Sequence, residues 1–369
     1  MSRKLRVGVI SANWGMRAHL PAWHAQESVE VMAVCTSRQE TAEEARETYG
    51  LDRCYWDYRA MCADPDLDII DVGTRPDLRR DMVMTAIENG KHVFASAPFG
   101  ANVDAAREMT QAAEAAGIVG VIDSTLSRAP AHRQMKALLA QGWAGTPVAV
   151  TAQFAIPLFN AATAPGSGWR WFGTRRHGAS AMRNLGTHTL HLLVELFGQV
   201  RSVSAMERTA LKEWTFADGE SIRPETADTA LLQLEFENGI AANVAVSYAS
   251  PALTGWRMDV TGSEGTLISR HEDYFPSGPD VELLGARSGQ RPEPIPLPDE
   301  VVSPQEFSFT EPPVVPQAFD IAGVMASMIG AIRNGDTPVP DFTQGLHVEK
   351  ILDAAARSAD SGQTVKVNS

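Results

Sequence analysis

The chain has 369 residues, too many for one compact core and about right for two, since domains usually hold roughly 100 to 200 residues. A hydrophobic fraction of 44% with 21% charged residues is ordinary for a globular protein and gives no support to disorder, a collagen-like chain or a solenoid. The formal charge of -13 opposes a phosphate backbone and an anionic bilayer, so the expected partner is a small molecule, with no nucleic acid and no membrane.

The opening Met1-Ser2-Arg3-Lys4-Leu5-Arg6 leads into an apolar run that stops at Ser11. That run is too short for a signal-peptide core or a membrane span, and a cytoplasmic location is expected. Three cysteines, Cys35, Cys54 and Cys62, show no Cys-x-x-Cys spacing and are odd in number. Reduced, mostly buried thiols are expected, and no metal.

From Leu5 to about Ser124, short β-rich runs alternate with helical stretches, the pattern of an α/β parallel sheet with crossover helices. Strands are expected at Leu5–Ile10, Val29–Cys35, Ile69–Gly73, His92–Ser96 and Ile118–Ile122. Helices are expected at Thr41–Tyr49, Arg79–Asn89 and Asp104–Ala116, with Asn89-Gly90 and Gly117 as stops. After Ser124 the rhythm changes. A helix at His132–Gln141 precedes a long strand at Thr146–Ile156, and Thr229–Phe236 with Ile240–Tyr248 flank Glu237-Asn238-Gly239, a strong hairpin signal.

With Trp256–Thr261 and Thr266–Ser269 these runs predict an α+β second domain. Its open, mainly antiparallel sheet would carry helices on one face. A broad apolar opposite face would need cover, so a homodimer or homotetramer through the open sheet is expected. Pro276–Pro316 reads as a surface excursion, Gln317–Asn334 and Phe342–Ser361 as closing helices, and Val365–Val367 as a last strand. The expected division is 1–124 for a dinucleotide-binding Rossmann domain and 125–369 for a substrate and oligomerisation domain.

Between the first strand and the helix near Arg17 lies Gly8-Val9-Ile10-Ser11-Ala12-Asn13-Trp14-Gly15-Met16, where a Rossmann fold turns its backbone against a pyrophosphate. The usual G-x-G-x-x-G is degraded, with Ser11, Asn13 and Met16 at its glycine positions. Asn13 is the mildest replacement where φ must be positive, and Gly15 is available to relieve crowding. An ordinary strand-to-helix turn is the competing reading.

At the end of the second strand, Thr36-Ser37-Arg38 stands where NAD-binding folds place an acidic residue for the ribose 2′-hydroxyl. With no carboxylate there, Ser37 and Arg38 could accept a 2′-phosphate, and NADP(H) is expected over NAD(H). Ser37-Arg38-Gln39-Glu40 also reads as a capping box.

Several segments together resemble the Gfo/Idh/MocA oxidoreductases. They are Thr74-Arg75-Pro76-Asp77-Leu78, Gly90-Lys91-His92-Val93 with Pro98, His19-Leu20-Pro21-Ala22, Gly186-Thr187-His188, Glu225–Asp228, Gly262-Ser263-Glu264-Gly265 and Ala354–Val367. The resemblance covers nearly the whole chain. It implies NAD(P) binding, hydride transfer to or from a sugar or other polyol, and coenzyme contacts from Ser11, Ala12, Asn13, Trp14, Ser37, Arg38, Thr74, Arg75, Pro76, Ser96, Ala97 and Pro98.

The same resemblance implies a catalytic lysine in a Glu-Lys-Pro motif and an Asp and a His four residues apart. Here these positions read Ser96-Ala97-Pro98, Asn184 and His188. Neither alanine nor asparagine removes a hydroxyl proton at neutral pH, which leaves His188 as the proton carrier with Asn184 positioning the substrate. Asp123, at a strand's carboxyl end, is a second acid/base candidate, or else a solvated turn residue. His191 reads as packing or as a support behind the site.

Arg128, Trp169, Arg170, Arg175, Arg176, His177 and Arg183 give a basic, aromatic approach to Asn184. Among them Arg128, Trp169, Arg170 and Arg183 are expected at the substrate, with a solvated surface loop as the alternative. The resulting expectation is an NADP(H)-dependent oxidoreductase acting on a sugar-like or cyclic hydroxy or carbonyl compound. A non-catalytic dinucleotide-sensing regulator and a redox-neutral hydrolase or lyase with tightly bound nicotinamide are the alternatives.

Overall fold

The computed structural model describes residues 3–11, 13–159, 164–302, 305–310, 313 and 315–367. The chain divides into two compact units, Met1–Thr125 with Pro304–Leu346, and Leu126–Ser303 with His347–Ser369.

In the first unit, the described residues form six parallel strands: β1 (Leu5–Ile10), β2 (Val29–Cys35), β3 (Arg53–Tyr55), β4 (Ile69–Val72), β5 (His92–Ala95) and β6 (Gly120–Ile122). Their order is β3-β2-β1-β4-β5-β6. A parallel sheet is covered on both faces and needs short apolar runs rather than alternation; every residue of β4 is buried. The crossovers are α1 (Leu20–His24), α2 (Gln39–Tyr49), α3 (Tyr58–Cys62), α4 (Pro76–Glu88) and α5 (Val103–Ala116). In α5 the buried Ala106, Met109, Thr110 and Ala113 recur at helical spacing. The Asn102 side chain caps its start by accepting from Ala105 N at 2.9 Å. The strand order reverses between β1 and β4, the switch point outside whose carboxyl ends open α/β sheets hold ligands.

Two short elements escape the periodicity. β3 is three half-buried residues, and α3 is a single turn capped by Asp57, whose side chain accepts from Arg59 N at 3.0 Å. The boundary expected at 124 falls after Thr125. The closing helices, however, do not both stay with the second unit. Helix Gln317–Asn334 turns Ala318, Ile321, Ala322 and Met325 into the same core as Trp23, Phe94 and Val121. Gln26 fastens it by donating to Ala322 O at 2.9 Å.

The second unit contributes β7 (Pro147–Ala155), β8 (Val200–Arg208), a separate ribbon of β9 (Trp214–Thr215) and β10 (Ser221–Ile222), then β11 (Thr229–Phe236), β12 (Ala241–Ser247), β13 (Gly255–Gly262), β14 (Gly265–His271), β15 (Glu282–Arg287), β16 (Glu293–Pro294) and β17 (Val365–Lys366). The large sheet runs β16-β15-β14-β13-β7-β12-β11-β8-β17 among the described residues. It is antiparallel except where β12 lies parallel to β7. Ala230, Leu232, Leu234 and Phe236 alternate into a core shared with α7 (Thr187–Phe197), while α6 (Pro130–Ala140) adds Ala131 and Met135.

Pro276–Pro316 is more than a surface excursion, because β15 and β16 within it extend this sheet. β8 went unread because its Val-Arg-Ser-Val-Ser-Ala-Met-Glu-Arg run is half polar. The sheet's other face is not broadly apolar. Thr151, Gln153, Gln233 and Asn243 point outward beside Leu231 and Met206. Among the described residues no helix is long and apolar enough to cross a membrane.

Candidate functional site

The loops after β1, β2, β4, β5 and β6 share one edge of the first sheet, and backbone bonds stitch their first residues to neighbouring strand ends. Ser11 N donates to Cys35 O at 3.1 Å, Gly73 N to Ile10 O at 3.1 Å and Asp123 N to Ala95 O at 2.9 Å. Ser11, Asn13, Trp14, Ser37, Arg38, Thr74, Arg75, Pro76, Ser96, Ala97, Pro98 and Asp123 therefore belong to a single carboxyl edge. Ala12 lies outside the described residues.

In the turn after β1 the Ser11 hydroxyl accepts from Gly15 N at 3.0 Å and Asn13 N at 3.3 Å. Asn13 does not take the positive φ expected of it; among the described residues only glycines do. The requirement for glycine has moved instead. A Cβ on Gly15 would come within 2.5 Å of Ser11 Cβ, and one on Gly73 within 3.0 Å of Gly15 Cα, so these two glycines let the turn lie directly against the end of β4. A π-helical turn, Gly15–His19, then leads into α1.

That turn delivers His19, fully buried, to two carboxylates. Its Nδ1 donates to Asp71 Oδ1 at 2.8 Å and its Nε2 to Asp123 Oδ2 at 2.8 Å. Trp23 Nε1 donates to Asp71 at 2.7 Å, Trp14 Nε1 donates to Asp123 at 3.1 Å, and Ala97 N donates to the other Asp123 oxygen. Burial alone would lower an imidazole's pKa. The charge of Asp71, the hydrogen bonds to Asp123 and Asp71 and the charge of Asp123 overcome it, and His19 is pushed up to about 10.

One imidazolium thus braces the loops after β1, β5 and β6 against β4. Sequence reasoning saw His19 only as a matching position and missed Asp71 altogether. The available signal was a carboxylate in the middle of Ile69-Ile70-Asp71-Val72, since a charge buried in such a run needs a partner. Asp123 is correspondingly neither a solvated turn residue nor an idle base, because its oxygens already serve three donors.

At the end of β2 the capping box does not form. α2 begins at Gln39 with Arg38 as its N-cap and no side-chain cap, and Thr36 Oγ1 donates to Arg38 O at 2.9 Å instead. Ser37 and Arg38 are exposed, and among the described residues no hydrogen bond or ion pair from either side chain is formed. Arg79, also missed, is buried beneath the loops after β4 and β5. Its guanidinium donates to the carbonyls of Thr74, Pro98 and Phe99 and fixes the backbone of both.

In the second unit a π-helical turn, Met182–Gly186, carries Asn184 into α7, where His188 follows. Both side chains are half-buried. Asn184 Oδ1 accepts from Ser180 N at 3.2 Å, and the His188 ring stands edge-on to Phe275 at 5.4 Å. The arginines expected at the substrate are compensated within the protein. Arg183 donates to Glu349 at 2.7 Å and to Gly178 O at 2.8 Å, Arg170 to Glu220 at 2.7 Å, and Arg128 lies 3.9 Å from Glu195. Trp169 packs edge-on against Phe172 at 5.1 Å. His191 is buried.

The carboxyl edge fits a dinucleotide. Gly15 and Gly73 keep Cβ atoms out of a turn where they would collide, and the Arg38 guanidinium is unspent where a ribose would lie. A Rossmann sheet with such an edge, followed by a unit built on a large mixed sheet, defines a two-unit architecture of the nucleotide-binding class. Residues 5–123 match the oxidoreductase family model with an NAD-binding Rossmann fold, and residues 132–268 match the GFO/IDH/MocA C-terminal domain. The chain belongs to the Gfo/Idh/MocA oxidoreductase family.

It is 26% identical to D-apiose dehydrogenase of Paraburkholderia graminis over 373 aligned positions, 100% of this chain and 91% of that one. An NAD-binding oxidoreductase from Klebsiella pneumoniae superposes with a TM-score of 0.86 at 26% identity, covering 99% of each chain. Levoglucosan dehydrogenase, solved with NADH and L-sorbose, superposes with a TM-score of 0.87 at 21% identity, also over 99% of each.

Proposed function

We propose that the chain transfers hydride between a nicotinamide coenzyme and a sugar-like or cyclic hydroxy or carbonyl compound, with NADP(H) preferred over NAD(H). The observation that carries this reading is the carboxyl edge of the first sheet, with its glycine-sealed turn and the unpaired Arg38. Ser11, Ala12, Asn13 and Trp14 would face the pyrophosphate, Ser37 and Arg38 the 2′-phosphate, and Thr74–Pro76 with Ser96–Pro98 the remainder. The dehydrogenase names of two relatives support the substrate class. The coenzyme preference rests on Arg38 alone, since levoglucosan dehydrogenase was solved with NADH.

Bound nicotinamide supplies or accepts the hydride. His188 exchanges the proton at the substrate oxygen and Asn184 orients that oxygen by hydrogen bond, while Trp169, Arg128, Arg170 and Arg183 are the further residues proposed to meet the substrate. Asp123 is reassigned from acid/base to positioning, as the anchor of Trp14 and of the Ala97 backbone. With Ala97 in place of a lysine, reduction of a carbonyl is favoured over alcohol oxidation, because hydride delivery drives the proton transfer that His188 completes.

Titration with NADPH and NADH, followed by the fluorescence of Trp14 and its neighbours, tests the coenzyme reading. Tighter binding of NADPH is expected, and a wide preference for NADH removes the Arg38 argument. A substrate screen with His188→Ala is expected to lose turnover about 100-fold or more, and unchanged turnover rules out the role of His188.

Ala97 and Asn184, both unable to move a proton, favour one second reading, a dinucleotide-sensing regulator. It predicts nucleotide binding with no turnover on any polyol or carbonyl. A redox-neutral enzyme would instead retain its coenzyme through purification and consume none. A homodimer or homotetramer through the open sheet is the assembly proposed, supported by the neighbouring exposed Leu231 and Met206 and not by a broad apolar face, and it is to be read by sedimentation.

A further inference from the structure

We infer that Ser11 donates its hydroxyl proton to a pyrophosphate oxygen of the coenzyme, supplying a hydrogen bond that glycine in this position cannot make. The inference rests on the coenzyme reading above and goes further in giving a side chain of the degraded turn a direct part in recognition.

A serine hydroxyl has two acceptor positions and one proton. At Ser11 both acceptor positions are filled, by Gly15 N at 3.0 Å and Asn13 N at 3.3 Å. The residue is 5% exposed, and among the described residues no acceptor receives its proton. A buried donor without an acceptor is costly, so the turn is built for something that brings one. Two amides donating into the same oxygen polarise its O–H bond and make it a stronger donor.

The acceptor that matches is an anionic oxygen. The turn's own amides are largely spent, Asn13 N and Gly15 N on the Ser11 hydroxyl oxygen and Met16 N and Arg17 N on Asn13 O, so the hydroxyl proton is a donor the turn still has to give, and no acidic side chain lies between Ser11 and His19 to take it. Gly15 and Gly73 hold Ser11 in place, since a Cβ on Gly15 would strike Ser11 Cβ at 2.5 Å and one on Gly73 would lie 3.2 Å from it. The hydroxyl is therefore clamped between backbone atoms. What the turn lost at Asn13 and Met16 in backbone freedom it regains in one fixed donor.

The full chain is titrated calorimetrically with NADH, NADPH and ADP-ribose, which share the adenosine, the pyrophosphate and the ribose beyond it but not the nicotinamide or the 2′-phosphate, and thermal midpoints without ligand register any collapse of the turn. Ser11→Ala is expected to weaken all three by about tenfold, the worth of one hydrogen bond to a charged oxygen. Ser11→Gly, the residue such turns ordinarily carry, secures the test if the alanine variant fails to fold. It is expected to weaken all three by about threefold, because a water can occupy the vacated space.

Equal or tighter binding by either folded variant overturns the inference, since the hydroxyl would then only plug the two amides. So does a loss confined to one ligand, because the effect must follow the shared pyrophosphate. Failure of the unaltered chain to bind any of the three overturns the coenzyme reading itself, a result separated from the first two by that chain's own titration.

Discussion

His19 in the first unit and His132 in the second are both buried to within 1% of completely, yet one is held charged and the other neutral. His132 meets neutral partners. It donates to Leu126 O at 2.5 Å and accepts from Ser269 at 2.9 Å, and burial lowers it to about 4. His347 repeats this, since its Nε2 accepts from Val200 N at 3.0 Å and burial again brings it down to about 4. His19 meets two carboxylates and is held as an imidazolium. The difference teaches that burial sets the stakes and the partner decides the sign. Of these three, the charged histidine is the one at the carboxyl edge of the first sheet, where it ties the turn after β1 to three strand ends.

The hardest way to break that comparison is to remove one carboxylate. Asp71→Ala leaves His19 with Asp123 alone and strands the Trp23 indole N–H, and losing one partner of a buried ion pair typically costs about 3–5 kcal/mol. A fall of that size in the urea unfolding free energy is expected. A fall below about 1 kcal/mol would show that His19 is not held charged.

The pH dependence sharpens the same contrast. The pKa of His19 rises from 6.5 to about 10 on folding, so its contribution is complete below pH 6.5 and is lost as pH rises through 10. For His132 and His347 the folded values fall to about 4, so their contribution is complete above pH 6.5 and is lost as pH falls through 4. Hydrogen exchange resolved by unit should show the first unit loosening on the alkaline side and the second on the acid side. His132→Gln, which removes its own titration and leaves that of His347, should make the acid limb shallower in the second unit only.

How much of this was legible in sequence follows from what each feature rests on. The parallel strands and the switch point rest on runs such as Leu5–Ile10 and Val29–Cys35, which fold with those bounds because apolar periodicity is local. The short edge strand β3 and the half-polar β8 offered no such signal. Neither did the return of Gln317–Asn334 to the first sheet, which depends on a packing partner some 300 positions earlier in the chain.

At the site, the loops were legible because a parallel sheet must place them on one edge. The His19–Asp71–Asp123 wiring was not, since its members are 52 and 104 positions apart. Arg79 was hidden for the same reason: a guanidinium on a helix gives no sign in sequence that it will meet carbonyls from two loops.

The smallest effect on stability should come from the residue with the sharpest expected effect on ligand choice. Arg38 is exposed, and its backbone carbonyl, not its guanidinium, is what Thr36 and Thr41 use. Arg38→Ala should therefore leave the unfolding free energy within about 0.5 kcal/mol of the parent, as surface substitutions usually do. It should nonetheless lower NADPH affinity about tenfold while leaving NADH nearly unchanged, because a charge-assisted hydrogen bond to the 2′-phosphate has no counterpart in NADH. Equal losses for both coenzymes would place the guanidinium on a group they share. A large loss of stability would mean that Arg38 belongs to the braced side of the comparison, with His19, and not to the open side that waits for a ligand.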